Sequence, residues 1–321
     1  MPVAVRSFAK INLGLAIGPL RPDGFHALRT IYQTVAAHDV IKVAAGRGSG
    51  IEIRCPDARV PCDETNTCYR VAERVLKAVG HRAKVVIQID KRLPVQGGLG
   101  GGSSNAVATL FALEKVLKKR LSAGERLRIA TEVGSDLPLF LLGGTVLGCG
   151  RGEEIYPLPD LPPLPCVLVT PEIAVSTPQA FRDWDVLAER ALTAGNAVDT
   201  MDRFGRSAFE WLSGRGLSGV PTKGGDRAET LLLDLVRAGI ENDFERVVFP
   251  QYPELREWKR ALEREGAQFA SLSGSGSALY GFFRSGSAAE KAAARLRARG
   301  VSAMVSTTLP RAGYGKRLFA R

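Results

Sequence analysis

Cysteine and histidine, which most often hold structural zinc, are scarce and scattered in this sequence. The five cysteines (55, 62, 68, 149 and 166) include no Cys-x-x-Cys pair, and the three histidines (26, 38 and 81) lack metal-ligand spacing. This pattern argues against a structural zinc site. Free thiols suit a reducing compartment, so we expect a cytoplasmic protein.

Long apolar runs are also missing. The N-terminus has no apolar stretch of the signal-peptide type. The most apolar segment, residues 137–147, is too short to span a bilayer and contains two adjacent glycines. We therefore expect no association with a membrane and interpret this segment as a buried helix.

Acidic residues are fewer than basic ones, and 44 Lys and Arg against 33 Asp and Glu give a net charge of +11. The basic residues are spread along the chain, without a basic helix that carries interleaved aromatics, so we expect no nucleic-acid partner. Two interpretations remain: a solvated basic surface, or attraction of small polyanions such as nucleotides. The sequence leaves the oligomeric state open.

Glycine is concentrated in one informative loop, Leu93-Pro-Val-Gln-Gly-Gly-Leu-Gly-Gly-Gly-Ser-Ser104. A β-branched, strand-like run over 83–90 precedes the loop, and an amphipathic helix, predicted over 103–120, follows it. Ser103, Ser104 and Asn105 are good N-cap residue types. Glycine lets backbone N–H groups approach a ligand, and a helix N-terminus favours an anion. The loop therefore predicts a phosphate cradle, although a flexible Gly/Ser linker is the simpler alternative.

The loop matches neither common nucleotide fingerprint. Read from Gly98, the third glycine of Gly-x-Gly-x-x-Gly falls on Ser103. Gly97 and Gly102 have the P-loop spacing, but Ser103 stands where the P-loop has lysine. A cation that neutralises phosphate must therefore come from elsewhere in the chain.

Lys10 and Asp136 are the candidates for this chemistry. Lys10 and Asn12 share one face of a predicted strand over 4–17, which is either an exposed face or the source of the missing cation. Asp136 is the sole carboxylate in an apolar surrounding sequence. It is either a helix N-cap or a group that takes or orients the proton of a nucleophilic hydroxyl.

The chain length of 321 residues fits one large or two ordinary domains, and the 45% apolar content fits ordinary cores. Five prolines over 156–165 exclude a helix or central strand there and mark a domain boundary. The element pattern predicts an α+β protein. Further short strands are expected at 40–44, 51–54, 166–170, within 269–283 and at 301–307. Helices are expected at 66–79, 227–236, 252–264 and 288–299, a capping box at Ser122–Glu125, and a loop-rich segment at 195–225.

Three short segments of the chain together resemble the motifs of a known superfamily. They are Ala9-Lys-Ile-Asn12, the loop from Pro94 to Ser104, and Leu272-Ser-Gly-Ser-Gly276. The chain resembles the galactokinase, homoserine kinase, mevalonate kinase and phosphomevalonate kinase (GHMP) superfamily from about residue 5 to about 308. Within it, Arg21-Pro-Asp-Gly-Phe-His26, Gly134-Ser-Asp-Leu-Pro138 and Asn242-Asp-Phe-Glu245 are similar to the members that act on a cytidine diphosphate derivative.

The resemblance implies two domains with the active site in the cleft between them. These are an N-terminal ATP-binding α/β domain (1–157) and a C-terminal ferredoxin-like α+β domain (158–308), followed by a basic tail (309–321). It implies ATP as phosphate donor, with Mg²⁺ carried by the nucleotide and its protein ligand unknown.

The resemblance also assigns residues to sites. Lys10 and Asp136 are implied as the catalytic pair. The implied substrate pocket consists of Asn12, Phe25, His26, Thr177 and Phe181. The implied ATP site consists of Asn66, Lys91, Pro94, Val95, Gln96, Gly97, Gly98, Leu99, Gly100, Gly101, Gly102, Ser103 and Ser104. Phe25 stands where the family more often has tyrosine, which keeps the stacking face and loses a hydroxyl.

The implied reaction is ATP-dependent phosphorylation of a tertiary alcohol in the non-mevalonate isoprenoid route. A homoserine or mevalonate type of alcohol kinase is one alternative, and a nucleotide-binding protein without turnover is another. Phe25, His26 and Phe181 argue against the first alternative, because those smaller alcohols carry no ring for them to bind. The presence of both Lys10 and Asp136 argues against the second.

Overall fold

A computed structural model describes residues 1–95, 97–193, 200–213 and 239–319. Its strands are β1 (Val3–Leu20), β2 (His26–Gly46), β3 (Gly50–Arg54), β4 (Lys84–Asp90), β5 (Thr145–Cys149), β6 (Glu154–Pro157), β7 (Pro165–Thr170), β8 (Phe269–Leu272), β9 (Leu279–Phe282) and β10 (Ser302–Thr307). Its helices are α1 (Thr67–Ala78), α2 (Gly101–Leu117), α3 (Ala123–Val133), α4 (Leu137–Leu142), α5 (Thr177–Thr193), α6 (Thr200–Ser213), α7 (Glu245–Gln251), α8 (Pro253–Arg264), α9 (Gly286–Ala298) and α10 (Arg311–Arg317).

The first sheet is built around the long strand β2. Its strand order is β3-β4-β2-β5-β6, and β1 pairs antiparallel with β2 along most of its length. The register of that pair shifts between Phe8 and Ala9 and again between Asn12 and Gly14. Such bulges bend a strand and redirect its side chains. The second shift directly follows Asn12, so it lies at the candidate site.

The second sheet has four antiparallel strands in the order β10-β7-β9-β8. Numbered within this sheet, the order is 4-1-3-2, with helices between the first and second strands and between the third and fourth. This is the ferredoxin-like βαββαβ arrangement. The predicted α+β class and the ferredoxin-like second part are therefore confirmed.

The two sheets share a hydrophobic core. Ile11 and Ile31 of the first sheet and Leu168 and Phe282 of the second belong to one buried cluster. Residues 309–319, expected as a basic tail, lie against the first sheet, where Tyr314 is buried and its ring packs on Phe8. The exact domain limits stay a prediction.

Several predicted elements differ from the structure. Of the 21-residue strand β2, only 40–44 was expected. Helix α6 occupies 200–213 within the segment expected to be loop-rich. The buried helix expected over 137–147 ends at Leu142, because Gly143 and Gly144 both have positive φ and lead into β5. The helix predicted over 227–236 lies outside the described residues.

Candidate functional site

The glycine-rich loop leads into α2 earlier than expected. Gly100 is the N-cap, with a left-handed φ of 69°, and no side chain caps the helix. The prediction that Ser103, Ser104 or Asn105 caps the helix is therefore wrong. Because the first turn also contains no acidic residue, its N–H groups and positive dipole end are left for an anion.

The glycine-rich loop over 93–104 packs directly on a second glycine loop, Leu272–Gly276, which argues against the linker interpretation. Ala278 donates a backbone hydrogen bond of 2.9 Å to Gly97, and the Ser273 hydroxyl donates one of 3.0 Å to the Gly98 carbonyl. Gly98 has a φ of +84°, and a Cβ there would overlap the carbonyl oxygen of Ser273. Gly98 is thus required both by its conformation and by the close approach of the second loop.

One cavity of about 390 Å³ lies against the loop and the start of α1. Its lining includes the predicted ATP-site residues Asn66, Lys91, Pro94, Val95, Gly97, Gly98, Leu99, Gly100, Gly101, Gly102 and Ser103. Ser104 is buried inside α2 and is not part of this lining. The prediction for Gln96 lies outside the described residues.

Asn66 and Lys91 also have structural partners. The Asn66 side chain caps α1 by accepting from the Cys68 N–H and donates to the Pro61 carbonyl. The Lys91 ammonium lies 2.5 Å from the buried carboxylate of Asp39. Asp39 also accepts from two backbone N–H groups at the start of the loop. It therefore fixes the position of the loop as well as that of Lys91.

Lys10 and Asp136 meet across the fold. The Lys10 ammonium is 3.3 Å from Oδ2 of Asp136 and donates a hydrogen bond of 2.6 Å to Oδ1 of Asn12. Lys10 is buried, so the exposed-face alternative is wrong. Asp136 does stand at the N-cap position of α4, but its side chain makes no capping hydrogen bond. Its carboxylate is instead directed at Lys10 and Tyr32.

A second cavity, of about 690 Å³, is lined by both residues of this pair. Its lining includes the five predicted substrate residues, Asn12, Phe25, His26, Thr177 and Phe181. The rings of His26 and Phe181 stack at 5.0 Å. Phe25 is half exposed, and Arg151 lies 4.9 Å from its ring centroid. The cavity thus has an aromatic wall suited to a planar ring.

Sequence reasoning missed Asp185, which also lines this cavity. His26 places Nδ1 3.1 Å from the Gly18 carbonyl oxygen and Nε2 3.2 Å from Asp185 of α5. Thr177 hydrogen-bonds to Ser275 of the second glycine loop at 2.7 Å. Asp185 lies on a helix that the sequence analysis did not predict. Asp185 follows Phe181 by four positions and so lies on the same face of the helix. That spacing was the sequence signal that could have identified Asp185.

The two cavities share Gly98 and Gly100 as part of their walls. Lys10 is at the shared wall, because a Cβ on Gly100 would lie 2.9 Å from its side chain. A donor phosphate at the loop and an acceptor hydroxyl in the second cavity would therefore meet beside Lys10 and Asp136. This geometry suits direct transfer of a phosphoryl group.

The described residues contain no group of three His, Cys, Asp or Glu side chains placed to hold a metal ion. One oxygen available at the loop is the Ser103 hydroxyl, which lines the first cavity. A hydroxyl combined with nucleotide phosphates fits a hard cation such as Mg²⁺.

No helix in the described ranges is long and apolar enough to cross a membrane.

Comparison with known proteins identifies the family of this chain. Residues 66–144 match the family model of the GHMP kinases N terminal domain, and residues 228–302 match that of the GHMP kinases C terminal. The structures of a homoserine kinase from Cytophaga hutchinsonii and of this chain superpose with a TM-score of 0.67 at 20% identity, covering 96% of this chain and 95% of that one. The fold and the two glycine loops define a GHMP kinase.

Relatives narrow the family further. A 4-diphosphocytidyl-2-C-methyl-D-erythritol kinase of Solibacter usitatus is 39% identical over 87% of this chain and 81% of the relative. A crystal structure of 4-(cytidine 5'-diphospho)-2C-methyl-D-erythritol kinase matches with a TM-score of 0.71 at 30% identity, covering 95% of this chain and 98% of that one. The chain belongs to the 4-diphosphocytidyl-2-C-methyl-D-erythritol kinase family of GHMP kinases.

Proposed function

We propose that this chain transfers the γ-phosphoryl group of ATP to the 2-hydroxyl of 4-diphosphocytidyl-2-C-methyl-D-erythritol, in the non-mevalonate isoprenoid route. The observation that carries the proposal is the meeting of the two cavities beside Lys10 and Asp136. One cavity has a phosphate cradle, and the other has an aromatic wall for a nucleobase. The five free thiols fit a cytoplasmic location.

At the donor side, the proposed task of the chain is to hold the ATP phosphates. The unpaired N–H groups at the start of α2 supply hydrogen-bond donors, and Gly98 and Gly100 let the backbone approach the phosphates. Ser103 would hold Mg²⁺ together with the nucleotide. When bound, the ion neutralises phosphate charge.

At the reacting atoms, the proposed roles follow from charge and position. Lys10 places a buried cation where negative charge develops on the transferring group. Asp136 accepts or orients the proton of the acceptor hydroxyl, because its side chain is about 32% exposed and lines the second cavity. Asn12 restrains Lys10 through the 2.6 Å hydrogen bond, which limits the positions that the ammonium group can take.

At the acceptor side, we propose that Phe25, His26 and Phe181 bind the cytidine part of the substrate. Phe181 stacks on His26 and meets Phe244 edge-on, so the wall is held in place by its own packing. Thr177, tied to the second glycine loop, lies where this wall meets the loop. Homoserine and mevalonate carry no ring that could use this wall.

An ADP-release assay with a panel of alcohols tests the function. The panel contains 4-diphosphocytidyl-2-C-methyl-D-erythritol, homoserine and mevalonate, each with ATP and Mg²⁺. We expect turnover with the cytidine alcohol and at most background with the other two. Turnover with homoserine or mevalonate instead would contradict the substrate assignment, and no turnover with any alcohol would favour a binding protein without catalysis.

A further inference from the structure

Tyr32 is a buried polar side chain at the reacting atoms to which the sequence assigned no role. It lies on β2 directly opposite Asn12 of β1, and only 2% of the residue is exposed. Its hydroxyl donates a hydrogen bond of 3.0 Å to Oδ1 of Asp136, and the Lys10 ammonium lies 5.4 Å from its ring centroid. Tyr32 is therefore in contact with the candidate catalytic pair.

The chain around Tyr32 leaves room for this ring in two places. A Cβ on Gly148 would lie 2.6 Å from the ring, and a Cβ on Gly152 would lie 2.5 Å from the hydroxyl oxygen. Gly148 is on β5, and Gly152 lies in the turn after it with a φ of +104°. A side chain on either glycine would collide with Tyr32, so both positions must lack one. The space between the two glycines, called the slot below, fixes the ring and the direction in which its hydroxyl points.

The Tyr32 hydroxyl stays protonated at neutral pH. Burial, and then the nearby charge of Asp136, raise the pKa of Tyr32 well above its ordinary value. A protonated phenol that faces a carboxylate acts as the donor. The direction of the hydrogen bond, from Tyr32 to Asp136, is therefore defined.

The carboxylate of Asp136 is held at both oxygens. Oδ1 accepts from Tyr32 and Oδ2 faces Lys10, while the exposed part of the side chain lines the second cavity. We propose that Tyr32 is a positioning residue that orients the Asp136 carboxylate toward the acceptor hydroxyl. The proposal rests on the proposed function, because it assigns Asp136 to that hydroxyl.

Tyr32→Phe tests the proposal, since it removes the oxygen atom and leaves the ring in its slot. We expect kcat to fall about tenfold, the scale of a lost hydrogen bond to a charged group, with KM for both substrates within about twofold. Tyr314→Phe is the matched control. Tyr314 is also buried, but its hydroxyl donates to the Phe140 carbonyl at 2.6 Å, and the residue lines neither cavity. We expect its kcat to stay within about twofold of wild type.

A double-mutant cycle with Asp136→Asn separates positioning from a general structural effect. If Tyr32 acts through Asp136, adding Tyr32→Phe to Asp136→Asn should change kcat less than about twofold. A full tenfold loss in that background would overturn the proposal. So would an unchanged kcat in Tyr32→Phe alone, or a higher KM for the alcohol at unchanged kcat.

The outcome is distinguishable from a failure of the proposed function. The wild-type chain is first assayed with the cytidine alcohol, and absence of turnover contradicts the function itself. The same comparison of Tyr32→Phe with wild type is then made with whichever alcohol of the panel is phosphorylated.

Discussion

Lys10 lies where a carboxylate, an amide and both glycine loops meet, and these neighbours restrict the position of its ammonium group. Its own N–H donates to the Leu99 carbonyl at 3.0 Å, so its backbone is joined to the first loop. A Cβ on Gly274 of the second loop would lie 3.4 Å from its ammonium nitrogen. At the residue scale, the Lys10 ammonium group is therefore held between two loops that leave little room for side chains.

Gly98→Ala should weaken ATP binding strongly. The new Cβ would overlap the Ser273 carbonyl, and φ at this position is +84°, so the two loops would have to separate. We expect KM for ATP to rise at least about tenfold and the melting temperature to fall. Gly124→Ala on α3 is the matched control, because Gly124 lines neither cavity and no atom would lie within 4 Å of its new Cβ. Equal KM values in the two variants would contradict the packing argument.

Among the elements, the sequence predicted best those with a clear local pattern. The Ser122–Glu125 capping box and helices α1 and α8 are confirmed within a residue or two. The strand β2 was largely missed, because most of it is buried on both faces and so lacks polar alternation. Helix α6 did carry a helical signal, since Thr200, Phe204, Ser207 and Trp211 are buried on one face.

The candidate site divides in the same way. Lys10, Asn12 and the glycine loop lie in short segments with a recognisable sequence, so the sequence alone predicted them as site residues. Tyr32 lies on the part of β2 that was not predicted, and Asp185 lies on a helix that was not predicted. Tyr32 is 104 positions from its partner Asp136, and Asp185 is 159 positions from its partner His26. Contacts over such separations depend on tertiary structure, which local periodicity does not report.

The Asn242–Glu245 segment, which the sequence analysis used only as support for the resemblance, positions the second glycine loop. The Asn242 amide donates to the carbonyls of Leu272 and Gly274 at 3.0 and 2.9 Å. The Glu245 carboxylate accepts from the N–H of Leu272 at 2.9 Å. The start of α7 therefore holds the turn that packs on the phosphate loop.

Asn242→Ala should consequently affect both stability and turnover. Two buried carbonyls lose a donor, which typically costs about 1–3 kcal/mol each. We expect a lower melting temperature and a fall of at least about fivefold in kcat/KM for ATP. Ser122→Ala, which removes the cap of α3, should cost about 1 kcal/mol and leave the kinetics unchanged. Unchanged kinetics in Asn242→Ala would show that the turn does not depend on this amide.

For the molecule as a whole, the two sheets pack on a shared core and the two cavities lie beside it. That core and the clusters beside it contain cysteine thiols and tyrosine hydroxyls whose pKa is raised by burial, so these groups stay protonated to higher pH. Burial raises the pKa of Cys68 and of Cys166 to about 12. It also raises the pKa of Tyr32, Tyr280 and Tyr314 above the ordinary tyrosine value.

The free energy of unfolding should therefore fall as the pH rises from 8 to 11. Unfolded cysteine and tyrosine lose their protons near about 8.5 and about 10, whereas the folded chain keeps them to higher pH. The folded state then binds more protons than the unfolded one, and stability decreases with pH. Urea unfolding at several pH values measures this slope, and Tyr314→Phe should reduce it above about pH 10. A constant or rising stability over this range would contradict the prediction.

The most direct test of the account is the rate of phosphoryl transfer to 4-diphosphocytidyl-2-C-methyl-D-erythritol by Lys10→Ala and by Asp136→Ala. Both side chains lie where the two cavities meet. We predict that each variant loses at least about a hundredfold in turnover, the scale of a lost general base or charge-stabilising group. Turnover near the wild-type rate in either folded variant would contradict the role assigned to that residue.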